Sequence, residues 1–126
     1  GVVPRRAGDV RGAAISWGGG GVTMLEKGVI EKKIEDKLVS EVTKRGGLCF
    51  KFTSPHEPGV PDRIVITPDG RVIFVELKAA WGSLANIQRY QTDRMRAVGA
   101  DIRIIKGMDA VTDFVKQEFR GRSYEG

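Results

Sequence analysis

The sequence is short of the residues from which thiolate metal sites, disulfide frameworks and membrane spans are made. Its 126 residues include one cysteine, Cys49, and one histidine, His56. Neither an intrachain disulfide nor a zinc site of the usual His and Cys ligands can be assembled from these, so any metal would have to be held by oxygen. Cys49 stands between Leu48 and Phe50 and reads as a small core residue. No apolar run approaches the roughly 20 residues of a membrane helix. The start lacks a basic end followed by a continuous apolar stretch, so it does not read as a secretory signal. Neither Gly-x-Gly-x-x-Gly nor the phosphate-cradling glycine–lysine loop is found, which leaves nucleotide binding without support.

What is present suits one folded domain. Hydrophobic residues make up 40% of the chain, enough for a single modest core and too many for wholesale disorder. The formal charge is +5 and the pI is near 9.6. A basic surface favours polyanions, of which nucleic acid is the commonest. Residues 1–23 differ from the rest: they hold seven of the 17 glycines, including Gly18-Gly19-Gly20-Gly21, with neither a helical nor a strand period. They read as a flexible leader with a native start at Met24. The alternative is an arm carrying Arg5, Arg6 and Arg11 onto DNA.

The folded part is expected over 24–120, with a polar basic tail at 121–126. Thr23-Met24-Leu25-Glu26 matches a capping box. Ile30, Ile34, Leu38 and Val42 then form a helical apolar stripe that ends at Gly46-Gly47. Residues 48–53 predict a strand, and two prolines and a glycine between 54 and 59 prevent its continuation. Residues 62–67 and 71–78 predict two strands joined by the tight turn Pro68-Asp69-Gly70. Ser83 is the expected N-cap of a helix from 84 to about 98 closed by Gly99. A strand at 101–106 and a helix from about 108 to 119 complete the order α-β-β-β-α-β-α. That order describes an α/β fold with a mixed four-stranded sheet flanked by helices, its last two strands joined by a parallel crossover.

The tripeptide Glu-x-Lys occurs three times, and only one occurrence has usable geometry. Glu31-Lys32-Lys33 and Glu35-Asp36-Lys37 fall within the first helix, where residues two apart point about 200° apart. Glu76-Leu77-Lys78 falls in a strand, where residues two apart share a face. The hairpin brings Asp62 alongside Glu76. Two carboxylates that close repel unless a cation lies between them, and oxygen ligands with open water positions suit Mg²⁺ or Mn²⁺. Lys78 would orient or deprotonate a water there, or offset phosphate charge. The plainer alternative makes Asp62 a turn cap and Glu76–Lys78 an exposed strand pair. Against it, Val72, Ile73, Phe74, Val75 and Leu77 read as a strand buried on both faces, where an unmet carboxylate is costly.

Gly59-Val60-Pro61-Asp62-Arg63 followed by Phe74-Val75-Glu76-Leu77-Lys78 resembles the PD-(D/E)xK nuclease superfamily. More narrowly, it resembles the VRR-NUC (virus-type replication-repair nuclease) family. Glu31 to Glu35, Gly46 to Phe52, and Leu84-Ala85-Asn86-Ile87-Gln88 followed by Gly99 are similar to the same family, so the likeness spans about residues 26–115. It implies an αβββαβ restriction-endonuclease-like core, here with an added C-terminal helix, and divalent-metal-dependent hydrolysis of DNA phosphodiesters. Asp62, Glu76 and the Leu77 carbonyl would be metal ligands, Lys78 the catalytic lysine, and Glu31 the upstream acid supporting metal or water. Glu35 replaces Glu31 if the helix phase differs. Gln88 would point toward the scissile region, and Lys51 would meet a phosphate. Stand-alone members suggest a homodimer acting on branched DNA, such as a Holliday junction, with or without a replication or repair partner. The cytoplasm is the expected compartment, and a phage or prokaryotic source fits.

Other residues carry weaker expectations. Gly59 is expected to leave room for backbone to approach a ligand. His56 reads as a solvated loop residue. Trp81 reads as packed beneath the next helix, with stacking on a base as the alternative. Arg89, Arg94, Arg96, Arg103 and Lys106 could touch phosphates, although such charge runs usually form a solvated face. The competing function is a non-catalytic basic DNA-binding module derived from a nuclease fold, and the presence of all of Asp62, Glu76 and Lys78 favours catalysis.

Overall fold

A computed structural model describes residues 23–119; the expected leader up to residue 22 and the tail at 121–126 lie outside them. The chain divides into two units, 1–32 and 33–126. In the first, the described residues form the start of helix α1 (Met24–Lys44). The expected capping box is formed there. Glu26 N donates to Thr23 Oγ1 at 3.0 Å and Thr23 N donates to Glu26 Oε1 at 2.9 Å, so two backbone donors at the helix start are satisfied reciprocally.

The second unit holds the rest of α1 and a four-stranded sheet in the order β1-β2-β3-β4. Strand β1 is Leu48–Lys51, β2 is Arg63–Ile66, β3 is Val72–Lys78 and β4 is Ile102–Lys106. Helix α2 (Asn86–Ala97) lies between β3 and β4 in sequence, and α3 (Gly107–Phe119) follows β4. The first two pairings are antiparallel and β3–β4 is parallel, which is the mixed sheet that the order of elements predicts. Among the described residues, no helix is long and apolar enough to cross a membrane.

Alternation along the strands decides which face is core. Val65 on β2, Ile73 and Val75 on β3, and Ile105 on β4 are buried, as are Ile34, Leu38 and Val42 of α1 and Val111, Phe114 and Val115 of α3. Each such side chain contributes about 1.5–3 kcal/mol by leaving water. Arg63 points to this same face and reaches Glu35 of α1, Nη2 to Oε1 at 2.8 Å. The other face is less covered. Phe74 is half-buried and Val72 is 47% exposed, so β3 is not buried on both faces as its apolar run suggests.

Several element boundaries lie one or two residues from expectation, β1 for instance ending at Lys51 rather than at residue 53, and two of the shifts have local reasons. The second strand starts at Arg63 rather than Asp62, although Phe52 N still donates to Asp62 O at 2.9 Å. Helix α2 starts at Asn86 with Ala85 as N-cap, two residues after Ser83. Ala85 has no side-chain acceptor to offer. Instead its own N–H donates to Gln88 Oε1 at 2.9 Å, so the glutamine one turn inside the helix performs the capping. Cys49 is half-buried rather than fully enclosed.

Candidate active site

The antiparallel register pairs Ile64 with Phe74 and Arg63 with Val75. Continued by one residue, it sets Asp62 opposite Glu76. Directly opposed residues share a face, and so do residues two apart on one strand. Asp62, Glu76 and Lys78 therefore project from the face away from Val65 and Val75. On β4, Lys106 is the partner of Lys78 and adds an exposed cation to that side.

Glu76 is the centre of the cluster. It is 9% exposed, while Asp62 is exposed. Lys78 Nζ stands 3.6 Å from Glu76 Oε2, and Gln88 Nε2 of α2 donates to that same oxygen at 3.2 Å. Burial pushes the Glu76 carboxyl above the ordinary carboxylate range. Lys78 opposes the shift by its charge and by hydrogen bonding, Asp62 adds to it, and the Gln88 hydrogen bond works against it. A carboxylate that has lost water, faces a second carboxylate and is only partly compensated lacks positive charge. Among the described residues, no three His, Cys, Asp or Glu side chains gather into a metal cage. A Mg²⁺ ion does not require one, because it keeps several waters and takes one or two carboxylates. Asp62 and Glu76 fit such an ion.

The loop before β2 is clamped to α2, and the clamp is what places Asp62. Gln91 is 5% exposed and its Nε2 donates to Glu57 Oε1 and to Pro58 O, each at 3.1 Å. Arg94 joins at Glu57 Oε1, 3.2 Å away. Gly59 has φ +89°, and a Cβ there would lie 2.7 Å from Ile87 O. The space beside Gly59 is thus taken by the backbone of α2 and is not left for a ligand, contrary to expectation. Pro61 is fully buried. Gln91 and Glu57 were not legible as a pair, since 34 residues separate them and a glutamine inside a helix carries no local signal.

No family model matches the chain. The chain is similar to Putative nuclease p44 of Acyrthosiphon pisum secondary endosymbiont phage 1, with 43% identity over 79 residues, covering 63% of this chain and 85% of that protein. It is also similar to a solved structure described as VRR_NUC domain, with a TM-score of 0.66 and 24% identity over 71% of this chain and 97% of the other. The chain belongs to the same family as that phage protein and shares the fold of the VRR_NUC domain. At that identity the structural likeness speaks for the fold, and the relative of higher identity speaks for kinship.

Within this fold the expected site residues divide. Asp62, Glu76, Lys78 and Gln88 come together, and Leu77 lies between two of them on β3. Lys51 does not join them, because its register partner is Arg63, on the opposite face. Arg89 is exposed on α2 and its Nη2 lies 3.4 Å from Leu84 O. Glu31 lies on α1 in the first unit, partly exposed. Glu35, the stand-in for it, is bound to Arg63.

Most of the remaining arginines are engaged within the fold rather than free for phosphate. Arg94 holds Glu57, Arg96 reaches Ile102 O at 2.6 Å, and Arg103 holds Asp101 and Glu118. His56 is an exposed loop residue, as expected. Trp81 is 55% exposed, so it does not pack beneath α2.

Proposed function

We propose that this chain is a divalent-metal-dependent endonuclease that hydrolyses phosphodiester bonds in DNA, selective for branched substrates and acting in replication, repair or recombination. The observation that carries the reading is the desolvated Glu76 carboxylate facing Asp62 across β2–β3, with Lys78 and Gln88 on its second oxygen. The kinship with a phage protein named as a nuclease supports it. Asp62 and Glu76 would hold Mg²⁺ or Mn²⁺ with the Leu77 carbonyl, and the ion would polarise a phosphate oxygen and acidify water.

The chain's own residues have distinct tasks in this reading. Gln88 holds the Glu76 carboxylate in one orientation. Lys78 places positive charge beside the phosphate and orients or deprotonates the attacking water. Lys106 adds attraction for the backbone, and Arg89 extends it along α2, whereas Lys51 on the opposite face of the sheet takes no part. Glu31 keeps the supporting role that the family likeness gives it. A second copy of the chain would supply a second cleavage site on one branched substrate.

The test is cleavage of linear duplex, 5′-flap and four-way-junction DNA in Mg²⁺, Mn²⁺ or EDTA, by wild type, Glu76→Gln, Lys78→Ala and Glu31→Gln. Wild type is expected to cut only with metal, Glu76→Gln to lose cutting while keeping most DNA affinity, and Lys78→Ala to lose rate more than metal affinity. Full activity in Glu76→Gln would remove the site assignment. Binding of every substrate without cleavage would favour a non-catalytic DNA-binding module.

A further inference from the structure

The turn that follows β3 presents an aromatic side chain beside the cluster. Gly82 N donates to Ala79 O at 2.8 Å, closing a turn across Ala79, Ala80, Trp81 and Gly82. A Cβ on Gly82 would lie 3.2 Å from Lys78 Cβ, so the turn folds back onto the lysine of the cluster. On its other side Ala80 packs against Gly107, where a Cβ would meet Ala80 Cβ at 3.1 Å. The turn is therefore pinned between the ends of β3 and β4, yet Trp81 at its tip is 55% exposed. Among the described residues the Trp81 ring has no aromatic or cationic partner, whereas the Tyr90 ring is faced by Arg94 at 5.3 Å. Exposed cation is at hand, because Lys106 ends the neighbouring strand as the register partner of Lys78.

We infer that Trp81 is a stacking platform for an unpaired nucleobase next to the scissile phosphate, with Lys106 on the adjoining backbone. A large exposed aromatic on a pinned turn offers area at little entropic cost. Base-on-aromatic stacking combined with a basic neighbour is how single strands are held without sequence preference. Duplex bases are already stacked on one another and cannot use such a platform. Trp81 thus directs the site toward DNA with unpaired bases at the cleavage point. The inference rests on the nuclease reading for its link to cleavage, but the binding it asserts is separable from catalysis.

Trp17 is the other tryptophan, so Trp17→Phe leaves Trp81 as sole indole reporter. In EDTA at low salt, the fluorescence of the full chain carrying Trp17→Phe is expected to be quenched by a twelve-residue oligothymidylate and to change little with blunt duplex of equal length. Trp81→Ala is expected to weaken oligothymidylate binding about tenfold, the effect of one lost stacking contact, and Trp81→Phe to restore most of it. With Mg²⁺, Trp81→Ala should raise KM for a flapped substrate more than it lowers kcat. Unchanged oligothymidylate affinity in Trp81→Ala would overturn the inference and leave the nuclease reading intact. Quenching and weakened binding without cleavage by any form would support the platform and remove the nuclease reading instead.

Discussion

Glu76 is kept in a position that folding alone would not select. It is 91% removed from solvent by its 9% exposure, and its carboxyl is pushed upward chiefly by that burial, with Asp62 pushing the same way. An acid whose folded pKa is raised binds protons more readily in the folded than in the unfolded state. Stability therefore falls as pH rises from the ordinary carboxylate value, near 4.3, through the raised folded value. At neutral pH without metal, the raised Glu76 pKa is a net cost to stability. Glu76→Gln keeps the shape and removes that charge, so in EDTA at pH 7 its melting temperature should exceed that of wild type by a few degrees. About 1 kcal/mol corresponds to about 4–8 °C in a domain of this size. The advantage should shrink toward pH 4, where wild-type Glu76 is protonated. Millimolar Mg²⁺ should raise the melting temperature of wild type and leave the variant nearly unmoved, as expected when a ligand binds only the folded site. Differential scanning calorimetry across pH in EDTA and in Mg²⁺ checks both halves. A variant less stable than wild type in EDTA would show that Lys78 and Gln88 already compensate the charge.

At the level of elements, the site is assembled by two attachments that differ in how visible they are from the chain. The β2–β3 hairpin, with its Pro68-Asp69-Gly70 turn and alternating strands, was legible because turn chemistry and period-two patterning are local. So was the helical stripe of α1, whose Ile34, Leu38 and Val42 are buried as that pattern requires. The start of α2 was not, because Ser83 is a good cap by type, while the side chain that caps is Gln88, reaching back from within the helix. The clamp of the 54–61 loop onto α2 was hidden for a different reason. It depends on Gln91, Glu57 and Gly59 meeting across the fold, and no local rule names such partners. Its consequence is testable at Gly59. Gly59→Ala would place a Cβ 2.7 Å from Ile87 O on a backbone at φ +89°, a conformation that costs a side-chain-bearing residue about 1–3 kcal/mol. The loop must shift, and Asp62 three residues on shifts with it. Gly59→Ala is expected to lower stability by about that amount in urea melts and to reduce metal-dependent cleavage further than lost stability explains. Gly70→Ala serves as control: its φ is +88° but no atom lies within 4 Å of the added Cβ, so it should cost stability and spare the activity of the folded fraction.

At the scale of the whole molecule, the second unit leaves part of its sheet open. β1 is one of the two edge strands, and Leu48 and Phe50 on it are 51% and 50% exposed. The register pairs Leu48 with Ile66 and Phe50 with Ile64, while Ile66 pairs with Val72, itself 47% exposed. These residues share one face and make a continuous apolar surface from the edge into the sheet. An edge strand carrying exposed apolar side chains invites association with another chain, and apolar area of this kind marks association surfaces. The charge of +5 opposes close approach of two copies, and added salt weakens that repulsion while leaving apolar burial in place. A homodimer resting on this face should therefore persist or tighten as salt rises. Size-exclusion chromatography with light scattering is expected to give twice the 13.8 kDa chain mass at micromolar concentration in both 0.1 and 0.5 M salt, between which the Debye length shortens from about 10 Å toward the roughly 3 Å of molar salt. Phe50→Glu should return a folded monomer, because it places a charge on an exposed position and leaves the core untouched. If that monomer still cuts a flap but no longer makes paired cuts in a four-way junction, the second copy supplies the second cleavage. If Phe50→Glu remains dimeric, this face is not the interface.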